Sequence, residues 1–230
     1  MKINIVEFAE GARRARGITV IIDVFRAFSV GCYAFDSGAA AIIATGSIEE
    51  AFRLKTKYRN SVLVGERDER KIEGFDFGNS PTEILTADLN GVTVIHTTTA
   101  GTNGLVNANN ASLVITGSLV NASAVSRFIS SLDPNEVTLV AMGYRGEESA
   151  DEDLLCARVI ADRLTHGQTD FSREIASLKE TSGKRFFKSE NIEFSPPSDY
   201  FLCTMADRFD FVLKATKRYD GNIDLMKIEV

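Results

Sequence analysis

The segment Ile18–Ala27 constrains the fold most, because a long apolar run in it ends in charged residues. Residues Ile18–Ile22 read Ile-Thr-Val-Ile-Ile, with no alternation of polar side chains. Such a run predicts a strand that is buried on both faces, as in parallel sheets. Asp23 and Arg26 follow at its carboxyl end, where open α/β sheets bind ligands. The segment alone leaves two interpretations open: a functional site, or an Asp that caps the next helix and pairs with Arg26.

The order of the predicted elements indicates an α/β protein. Apolar strands alternate with segments of helical periodicity. The predicted strands lie at 18–23, 39–44, 61–64 and 92–95, and the first helices at 27–36 and 48–58. This alternation predicts a layered α/β/α fold with a largely parallel or mixed sheet. The length of 230 residues suits a single compact unit, 1–230.

Two stretches of the chain resemble each other and predict an internal duplication. Thr19-Val-Ile recurs as Thr93-Val-Ile, and Thr45-Gly-Ser recurs as Thr116-Gly-Ser. We interpret the chain as two related βαβαβ halves, about 18–73 and 92–150, followed by a helical and strand extension, 151–230. Chance similarity between apolar strands and Thr-Gly-Ser turns is the alternative. In a true duplication, both halves direct equivalent strand ends at one crevice.

Composition excludes several classes of function. The net charge of −6 argues against a nucleic-acid binder held by its overall field. No stretch approaches the roughly 20 apolar residues of a membrane span, and the N-terminus has no signal-peptide pattern. Three scattered cysteines predict reduced thiols in a cytoplasmic protein. Only two histidines are present, so a metal would be a hard, oxygen-liganded ion such as Mg²⁺. The sequence leaves a homodimer open.

Polar clusters follow the other predicted strands as well. Glu66 and Arg67 come directly after a buried strand, where a charged pair is costly unless it is partnered or used. Asn79 and Ser80 offer an amide and a hydroxyl group in a Gly- and Pro-containing loop. The alternative for Ser80 is an ordinary cap, because Glu83 lies three residues beyond it.

The second half supplies two further clusters. After the strand at 92–95, a loop rich in threonine, glycine and asparagine precedes a helix and predicts either an anion cradle or a capping turn. Its candidate ligand-binding residues are Thr97, Thr98, Thr99 and Asn103. Arg145 and Glu152 belong to the last cluster, where acidic residues also suit the first turn of a helix. Carboxylates, arginines and a hydroxyl-rich loop together favour Mg²⁺-assisted hydrolysis of a phosphoester.

At these residues the sequence resembles the 2-phosphosulfolactate phosphatase (ComB) family. The resemblance covers residues 18–165 well and continues more weakly at 207–214. Its motifs are Ile22-Asp-Val-Phe-Arg-Ala27, Gly65-Glu-Arg67, Gly74-Phe-Asp-Phe-Gly-Asn-Ser-Pro81, Thr97-Thr-Thr-Ala-Gly-Thr102, residues 117–123, and Glu152-Asp-Leu-Leu-Cys-Ala157. It implies a Mg²⁺-dependent hydrolase that converts 2-phospho-3-sulfolactate to 3-sulfolactate and phosphate. The family's setting is coenzyme M biosynthesis, although similar proteins occur in bacteria that lack that pathway.

The resemblance also implies which residues form the site. The family motifs place there Asp23, Arg26, Glu66, Arg67, Asn79, Ser80, Thr97, Thr98 and Glu152. We expect Asp23 and Glu152 to hold Mg²⁺, the arginines to hold the phosphate and a second acid group, and Glu66 to orient the attacking water. A covalent phospho-enzyme through Asp23 stays open. Phe28 stands where many relatives carry a small hydroxyl residue, and we expect its ring to narrow the pocket or to remove a hydrogen bond.

A protein of a different class is the rival interpretation. The same scaffold could serve as a small-anion-binding or regulatory protein without turnover. Clustered carboxylates beside the arginines favour the enzyme, because a pure anion binder has no need for them. Another transferase or lyase of phosphorylated acids is a weaker alternative.

Overall fold

The computed structural model describes all 230 residues and contains one ten-stranded sheet with helices on both faces. The strands are β1 (Lys2–Glu7), β2 (Ile18–Ile22), β3 (Ala41–Ala44), β4 (Ser61–Arg67), β5 (Arg70–Lys71), β6 (Thr93–Thr97), β7 (Leu113–Gly117), β8 (Glu136–Ala141), β9 (Phe211–Lys217) and β10 (Ile223–Glu229). The helices are α1 (Phe8–Arg14), α2 (Ala27–Asp36), α3 (Ile48–Lys57), α4 (Pro81–Ile84), α5 (Gly101–Asn107), α6 (Ala122–Ser131), α7 (Asp151–Leu164), α8 (Ser172–Ser177) and α9 (Pro197–Cys203). Short 3₁₀ helices at 119–121, 178–180, 182–187 and 189–191 complete the fold. The predicted α/β class with a mixed, mostly parallel sheet is confirmed.

The sheet consists of two parallel groups separated by an antiparallel hairpin. Its strand order is β1-β8-β2-β7-β9-β10-β3-β6-β4-β5. Strands β1, β8, β2 and β7 are mutually parallel, and so are β3, β6 and β4. Strands β9 and β10 pair antiparallel with each other and with the flanking β7 and β3. Three successive antiparallel pairings separate the two parallel groups, yet the loops after β2, β8 and β6 and the end of β4 line one pocket.

Alternating side chains of the strands pack on opposite faces of the sheet. In β3, Ile42 belongs to the apolar cluster that contains residues of α2, whereas Ile43 packs with residues of α3. In β2, Ile21 joins the first of these clusters, and Ile22 joins the cluster beneath α6 and α7. Burial on both faces explains why these strands show no alternation of polar side chains, with Thr19 as the one polar residue of β2.

The predicted duplication remains a prediction, and the sheet order bears on it. Strand β2 of the first proposed half lies between β7 and β8 of the second, and β6 of the second lies between β3 and β4 of the first. Two intertwined copies of one unit would produce this arrangement, with the β9–β10 hairpin at the centre. A structural superposition of 18–73 on 92–150 would test it.

The C-terminal extension differs most from the sequence-based expectation. Residues 168–195 are polar and charged, a pattern typical of exposed helices, yet they contain one short α-helix and three 3₁₀ helices. Leu178 and Phe186 from this segment are buried in the core cluster beneath α6 and α7. The strand expected in this extension is present as β9, and a second strand, β10, follows it. No helix of the protein is long and apolar enough to cross a membrane.

Candidate active site

A small polar pocket lies where the loops after β2, β6 and β8 meet the end of β4 and the C-terminal extension. About 420 Å³ of empty space, including its open mouth, is enclosed there. The pocket is lined by Asp23, Phe25, Arg26, Glu66, Glu69, Asn79, Thr99, Ala100, Gly143, Tyr144, Arg145 and Arg185. Three carboxylates and three guanidinium groups belong to this lining, so the pocket suits a small and strongly polar ligand.

Asp23 both caps a helix and lines the pocket. Its Oδ1 accepts a hydrogen bond of 3.0 Å from the backbone N–H of Ala27, in the first turn of α2. Its Oδ2 accepts no hydrogen bond from the protein and lies against Gly101, where a Cβ atom would come within 2.7 Å of that oxygen. Burial raises the pKa of Asp23 to about 7, and the charges of Glu66 and Glu152 act in the same direction. The two interpretations of Asp23 are therefore compatible.

Two acidic residues at the start of α7 lie close to Asp23. Asp153 accepts hydrogen bonds from the backbone N–H groups of Val24 (2.8 Å) and Gly143 (2.9 Å), which joins the loops after β2 and β8. Glu152 is buried, and its Oε2 has no hydrogen-bond partner. Burial raises the pKa of both carboxyl groups. A buried oxygen without a partner is costly unless a ligand completes its environment.

Arg26 is fixed by the C-terminal extension and not by Asp23. Its Nη1 donates to the carboxylate of Asp199 at 2.6 Å and to the backbone carbonyl of Phe194 at 2.7 Å. Both side chains of this ion pair are buried. Asp199 also accepts from the hydroxyl of Ser80 (2.8 Å) and from the backbone N–H of Thr82 (2.9 Å). The alternative in which Arg26 pairs with Asp23 is therefore wrong.

Glu66 joins two loops of the pocket. Its Oε1 accepts from the backbone N–H of Thr99 at 2.7 Å. Its Oε2 accepts from the backbone N–H of Glu69 (2.9 Å) and the hydroxyl of Thr99 (3.2 Å). The carboxylate thus holds the β4–β5 turn against the loop after β6, and both loops line the pocket.

Asn79 directs an amide group at the pocket with the help of a buried histidine. Its Oδ1 lies 3.2 Å from Nε2 of His96. Burial lowers the pKa of His96 to about 4, so the ring is neutral at physiological pH. Because an amide oxygen only accepts, Nε2 carries the ring proton in this arrangement. The amide nitrogen of Asn79 is thereby left to donate to a ligand.

Four other predicted site residues lie outside the lining of the pocket. Arg67 donates to the Thr97 hydroxyl at 3.0 Å and to the Glu66 carbonyl at 2.8 Å. Thr98 exchanges hydrogen bonds with Thr102, as a capping turn does. Thr97 is buried, and Ser80 caps α4 by accepting from the Glu83 N–H at 3.3 Å. The ligand-binding roles predicted for them stay predictions.

Three further predictions concern the rim and the surroundings of the pocket. Asn103 is exposed on α5, where its oxygens accept from Asn107. Arg145 lines the mouth of the pocket and forms an ion pair of 3.2 Å with Asp68. Phe28 is buried in the core and does not line the pocket, so the expected narrowing by its ring is wrong.

Sequence reasoning missed Arg185 and Glu69, which face each other in the pocket. Their side chains form an ion pair of 3.1 Å, and Arg185 also donates to the backbone carbonyl of Phe25 at 3.0 Å. Arg185 lies in the sequence Lys-Arg-Phe-Phe, where a cation beside aromatic residues was a usable signal. Glu69 lies in the charged segment that follows β4, where nothing in the sequence distinguishes it from its charged neighbours.

Asp23, which lines the pocket, and Glu152, which is buried outside that lining, offer oxygens that suit a magnesium ion with few protein ligands. No group of three or more His, Cys, Asp or Glu side chains is arranged to hold a metal ion. However, Mg²⁺ is often bound through one or two carboxylates, with water and substrate phosphate as the other ligands. Oδ2 of Asp23 and the unpartnered Oε2 of Glu152 are oxygens of that kind. The donor set therefore fits Mg²⁺ and does not fit zinc.

Comparison with known proteins defines the class and the family. A sequence model described as 2-phosphosulpholactate phosphatase matches residues 4–194. With the pocket described above, this match makes the chain a phosphatase, that is, a phosphoric monoester hydrolase. Similar curated proteins carry the name "Probable 2-phosphosulfolactate phosphatase". One from Caldanaerobacter subterraneus subsp. tengcongensis is 36% identical over 212 residues, which cover 85% of this chain and 86% of that protein.

Two further relatives agree with this assignment. A protein of Clostridium perfringens is 34% identical over 84% of this chain and 79% of its own length. A protein of Bacillus subtilis is 31% identical over 90% of this chain and 89% of its own length. Both carry the same name. The chain belongs to the 2-phosphosulpholactate phosphatase family, which confirms the resemblance found in the sequence. The comparisons do not favour the non-catalytic alternative.

Proposed function

We propose that the protein is a Mg²⁺-dependent phosphatase that converts 2-phospho-3-sulfolactate to 3-sulfolactate and phosphate. The observation that carries this proposal is the pocket itself, in which the free Oδ2 of Asp23 lies among three arginines. Carboxylates and arginines in one small cleft suit a substrate with several anionic groups, in addition to a cation. The printed names of the relatives supply the particular substrate.

The reaction adds water across the P–O bond of a phosphate monoester. The phosphorus–oxygen bond to the substrate carbon skeleton breaks, water supplies the new oxygen on phosphorus, and a proton is transferred to the leaving alkoxide. Arg26 and the amide of Asn79 are our candidates for binding anionic oxygens of the substrate, and Arg145 is our candidate for binding an acid group that is not transferred. This division is supported by their exposure, since the side chain of Arg26 is 4% exposed and that of Arg145 is 46% exposed.

The proposed metal site uses two carboxylates. Asp23 and Glu152 would hold the Mg²⁺ ion, because each has an oxygen that no protein donor satisfies. When bound, the ion neutralises charge on the phosphoryl oxygens and polarises them. Burial raises the pKa of both carboxyl groups, and a bound cation would favour their charged forms.

Glu66 remains our candidate for orienting the attacking water. Three hydrogen bonds already fix its carboxylate. A carboxylate offers about four acceptor positions, so one further hydrogen bond is available. An intermediate in which Asp23 carries the phosphoryl group stays open. Trapping with [³²P]-labelled substrate and acid quench would separate the two routes.

The test measures phosphate release from a panel of phosphorylated small acids, with Mg²⁺ and with EDTA. We expect release from 2-phospho-3-sulfolactate that requires Mg²⁺ and slower release from monoanionic esters. No release from any ester would contradict the proposed function. Metal binding has a separate readout: Mg²⁺ should raise the Tm of the protein and should do so less in Glu152→Gln. The matched control is Glu147→Gln, an exposed carboxylate in the loop before α7.

A further inference from the structure

Arg185 is held in the pocket by an enclosure of aromatic rings. Its guanidinium carbon lies 5.8 Å from the ring centroid of Phe25, 5.1 Å from that of Tyr144 and 5.2 Å from that of Phe186. Cations within about 6 Å of an aromatic face are attracted to it. Three rings restrict the guanidinium to a narrow range of orientations, which is unusual for a long and flexible side chain.

The hydrogen bonds of Arg185 leave part of its donor capacity unused. Nη1 contacts Glu69 and Nη2 donates to the carbonyl of Phe25. Nε is buried and has no partner. A guanidinium carries five N–H donors, so this side chain is fixed by two contacts and keeps donors for a ligand. A buried donor without a partner is costly, and an anionic oxygen in the pocket would satisfy it.

The other two arginines of the pocket are less suited to holding the reacting group. Arg26 uses Nη1 for a buried ion pair with Asp199 and for a backbone carbonyl, so most of its charge is compensated. Arg145 is exposed at the mouth and pairs with Asp68. The side chain of Arg185 is less exposed than that of Arg145, and it lines the same pocket as Asp23 of the proposed metal site.

We propose that Arg185 is a catalytic residue that binds the oxygens of the transferred phosphoryl group, and that Glu69 positions it. This inference rests on the proposed function. The planar fork of a guanidinium matches two phosphoryl oxygens, and the surrounding rings exclude water, which strengthens the interaction. Glu69 orients the guanidinium group. Glu69 is fixed in turn, because its backbone N–H donates to the carboxylate of Glu66. The C-terminal extension thus supplies a catalytic side chain to a site that is built mainly by the two proposed halves.

The first experiment compares Arg185→Gln, Arg185→Lys and the control Lys184→Gln, whose side chain is exposed on the same 3₁₀ helix. We expect Arg185→Gln to lower kcat by roughly 100-fold or more, with a smaller change in KM, as on removal of a donor that acts in the transition state. Arg185→Lys keeps the charge without the fork and should lose about tenfold in kcat. Lys184→Gln should match the wild type.

A second measurement separates chemistry from folding. Added guanidinium ion at millimolar concentration should restore part of the turnover of Arg185→Ala, and it should not affect Lys184→Gln. Inhibition by inorganic phosphate should weaken in Arg185→Gln. In Glu69→Gln, inhibition by phosphate should strengthen while kcat falls. The reason is that Arg185 loses the negative charge that offsets its own charge and that orients its guanidinium group. A purely structural role would move Tm without these effects.

The outcomes also separate this inference from the proposed function. If the wild type releases phosphate but Arg185→Gln and Arg185→Lys keep its kcat within about twofold, the inference is wrong and the function stands. If Arg185→Gln does not fold, the lysine variant and the guanidinium rescue decide. Absence of rescue together with wild-type kcat in Arg185→Lys overturns the proposal. If the wild type releases no phosphate from any ester, the proposed function itself has failed.

Discussion

The loops after β2 and β6 each follow an inner strand of a parallel group, yet they differ in how fully their polar groups are hydrogen-bonded. In the loop after β6, the hydroxyl of Thr102 donates to the carbonyl of Thr98 (2.8 Å) and accepts from its N–H (3.1 Å). The hydroxyl of Thr98 accepts from the N–H of Thr102 in return. In the loop after β2, Asp23 keeps a free oxygen, and its charge is unfavourable because the group is buried.

This difference indicates which loop performs chemistry. A loop that satisfies its own polar groups contributes shape, and here it presents Thr99 and the small Ala100 to the pocket. A loop with an uncompensated buried carboxylate retains a cost that a ligand can relieve. Similar sequence position in two halves therefore does not imply a similar role. The predictions below test this contrast, from the largest expected effect to the smallest.

Asp23→Asn should abolish Mg²⁺-stimulated phosphate release and leave the fold intact. Asparagine keeps the oxygen that accepts from Ala27 N–H, so α2 remains capped. It loses the negative charge that the proposed metal site requires. We expect kcat to fall by about 10³-fold or more, as for loss of a group central to metal-assisted catalysis. A steady-state phosphate assay and a circular dichroism spectrum check both parts, and near-normal turnover would contradict the assignment of Asp23.

Asp199→Asn should destabilise the protein, because it leaves the buried guanidinium of Arg26 without a counter-charge. Removing one partner of a buried ion pair costs about 3 to 5 kcal/mol. Asparagine can still accept one hydrogen bond, so we expect the lower end of that range, and KM should rise as Arg26 loses its orientation. Urea denaturation and steady-state kinetics measure the two effects.

The control for Asp199 is Asp210→Asn. Asp210 pairs with Arg127 on the surface, where the two side chains are 83% and 49% exposed. An exposed pair contributes at most about 1 kcal/mol. Equal losses of stability in the two variants would show that the burial of the Arg26–Asp199 pair has no special importance.

The pH dependence of the free energy of unfolding should report how much the buried charge of Asp23 destabilises the folded protein. In the metal-free protein its pKa is about 7, against 3.8 for an ordinary Asp. Because the pKa is raised on folding, the neutral carboxyl group favours the folded state below about pH 4, and this advantage is lost as the pH rises through 7. Asp23→Asn should therefore gain stability relative to the wild type between pH 4 and 7, by at most roughly 4 kcal/mol. Urea denaturation in EDTA at pH 4.5, 6 and 8 measures the difference; a constant difference would refute the raised pKa.

The contrast between the loops also explains what the sequence could and could not predict. Strand β2 and the charged residues after it were predictable, because burial on both faces and a strand end are local patterns. Arg185 and Asp199 were not predicted, because each is fixed by an ion pair with a residue distant in sequence, Glu69 or Arg26. Aromatic residues follow both of them, but no local pattern specifies these distant partners.

The placement of β9 and β10 was unpredictable for a similar reason. Only the first residues of β9 are fully buried, and β10 alternates between buried and exposed side chains. Such patterns are typical of a half-exposed hairpin, yet here the hairpin occupies the centre of the sheet. Its position depends on pairing with β7 and β3, which no local pattern specifies. The opposite directions of the two parallel groups follow from it and were missed with it.

Thr102→Val should reduce stability without reducing turnover. The substitution preserves shape but leaves the N–H of Thr98 without its acceptor in a buried turn. We expect a loss of about 1 to 3 kcal/mol in the free energy of unfolding. Thr56→Val is the control, because its hydroxyl bonds to a carbonyl on the exposed face of α3. A kcat that falls more than tenfold in folded Thr102→Val would mean that this loop takes part in the chemistry after all.

Arg67→Gln should change kcat and KM the least of these variants, and it therefore tests whether the arginine beside the loop after β6 has a purely structural role. The sequence placed Arg67 at the phosphate, yet its guanidinium contacts the Thr97 hydroxyl and two backbone carbonyls instead of the pocket. Its role in the structure is to connect β4 with the start of the loop after β6. We expect kcat and KM within about twofold of the wild type and a stability loss of about 1 kcal/mol, the contribution of one hydrogen bond. Arg26→Gln, assayed in parallel, should instead raise KM strongly, because its guanidinium lines the pocket. If Arg67→Gln weakens substrate binding as much as Arg26→Gln does, then Arg67 must turn toward the substrate when it binds. The loop after β6 would then take part in substrate binding, as the loop after β2 does.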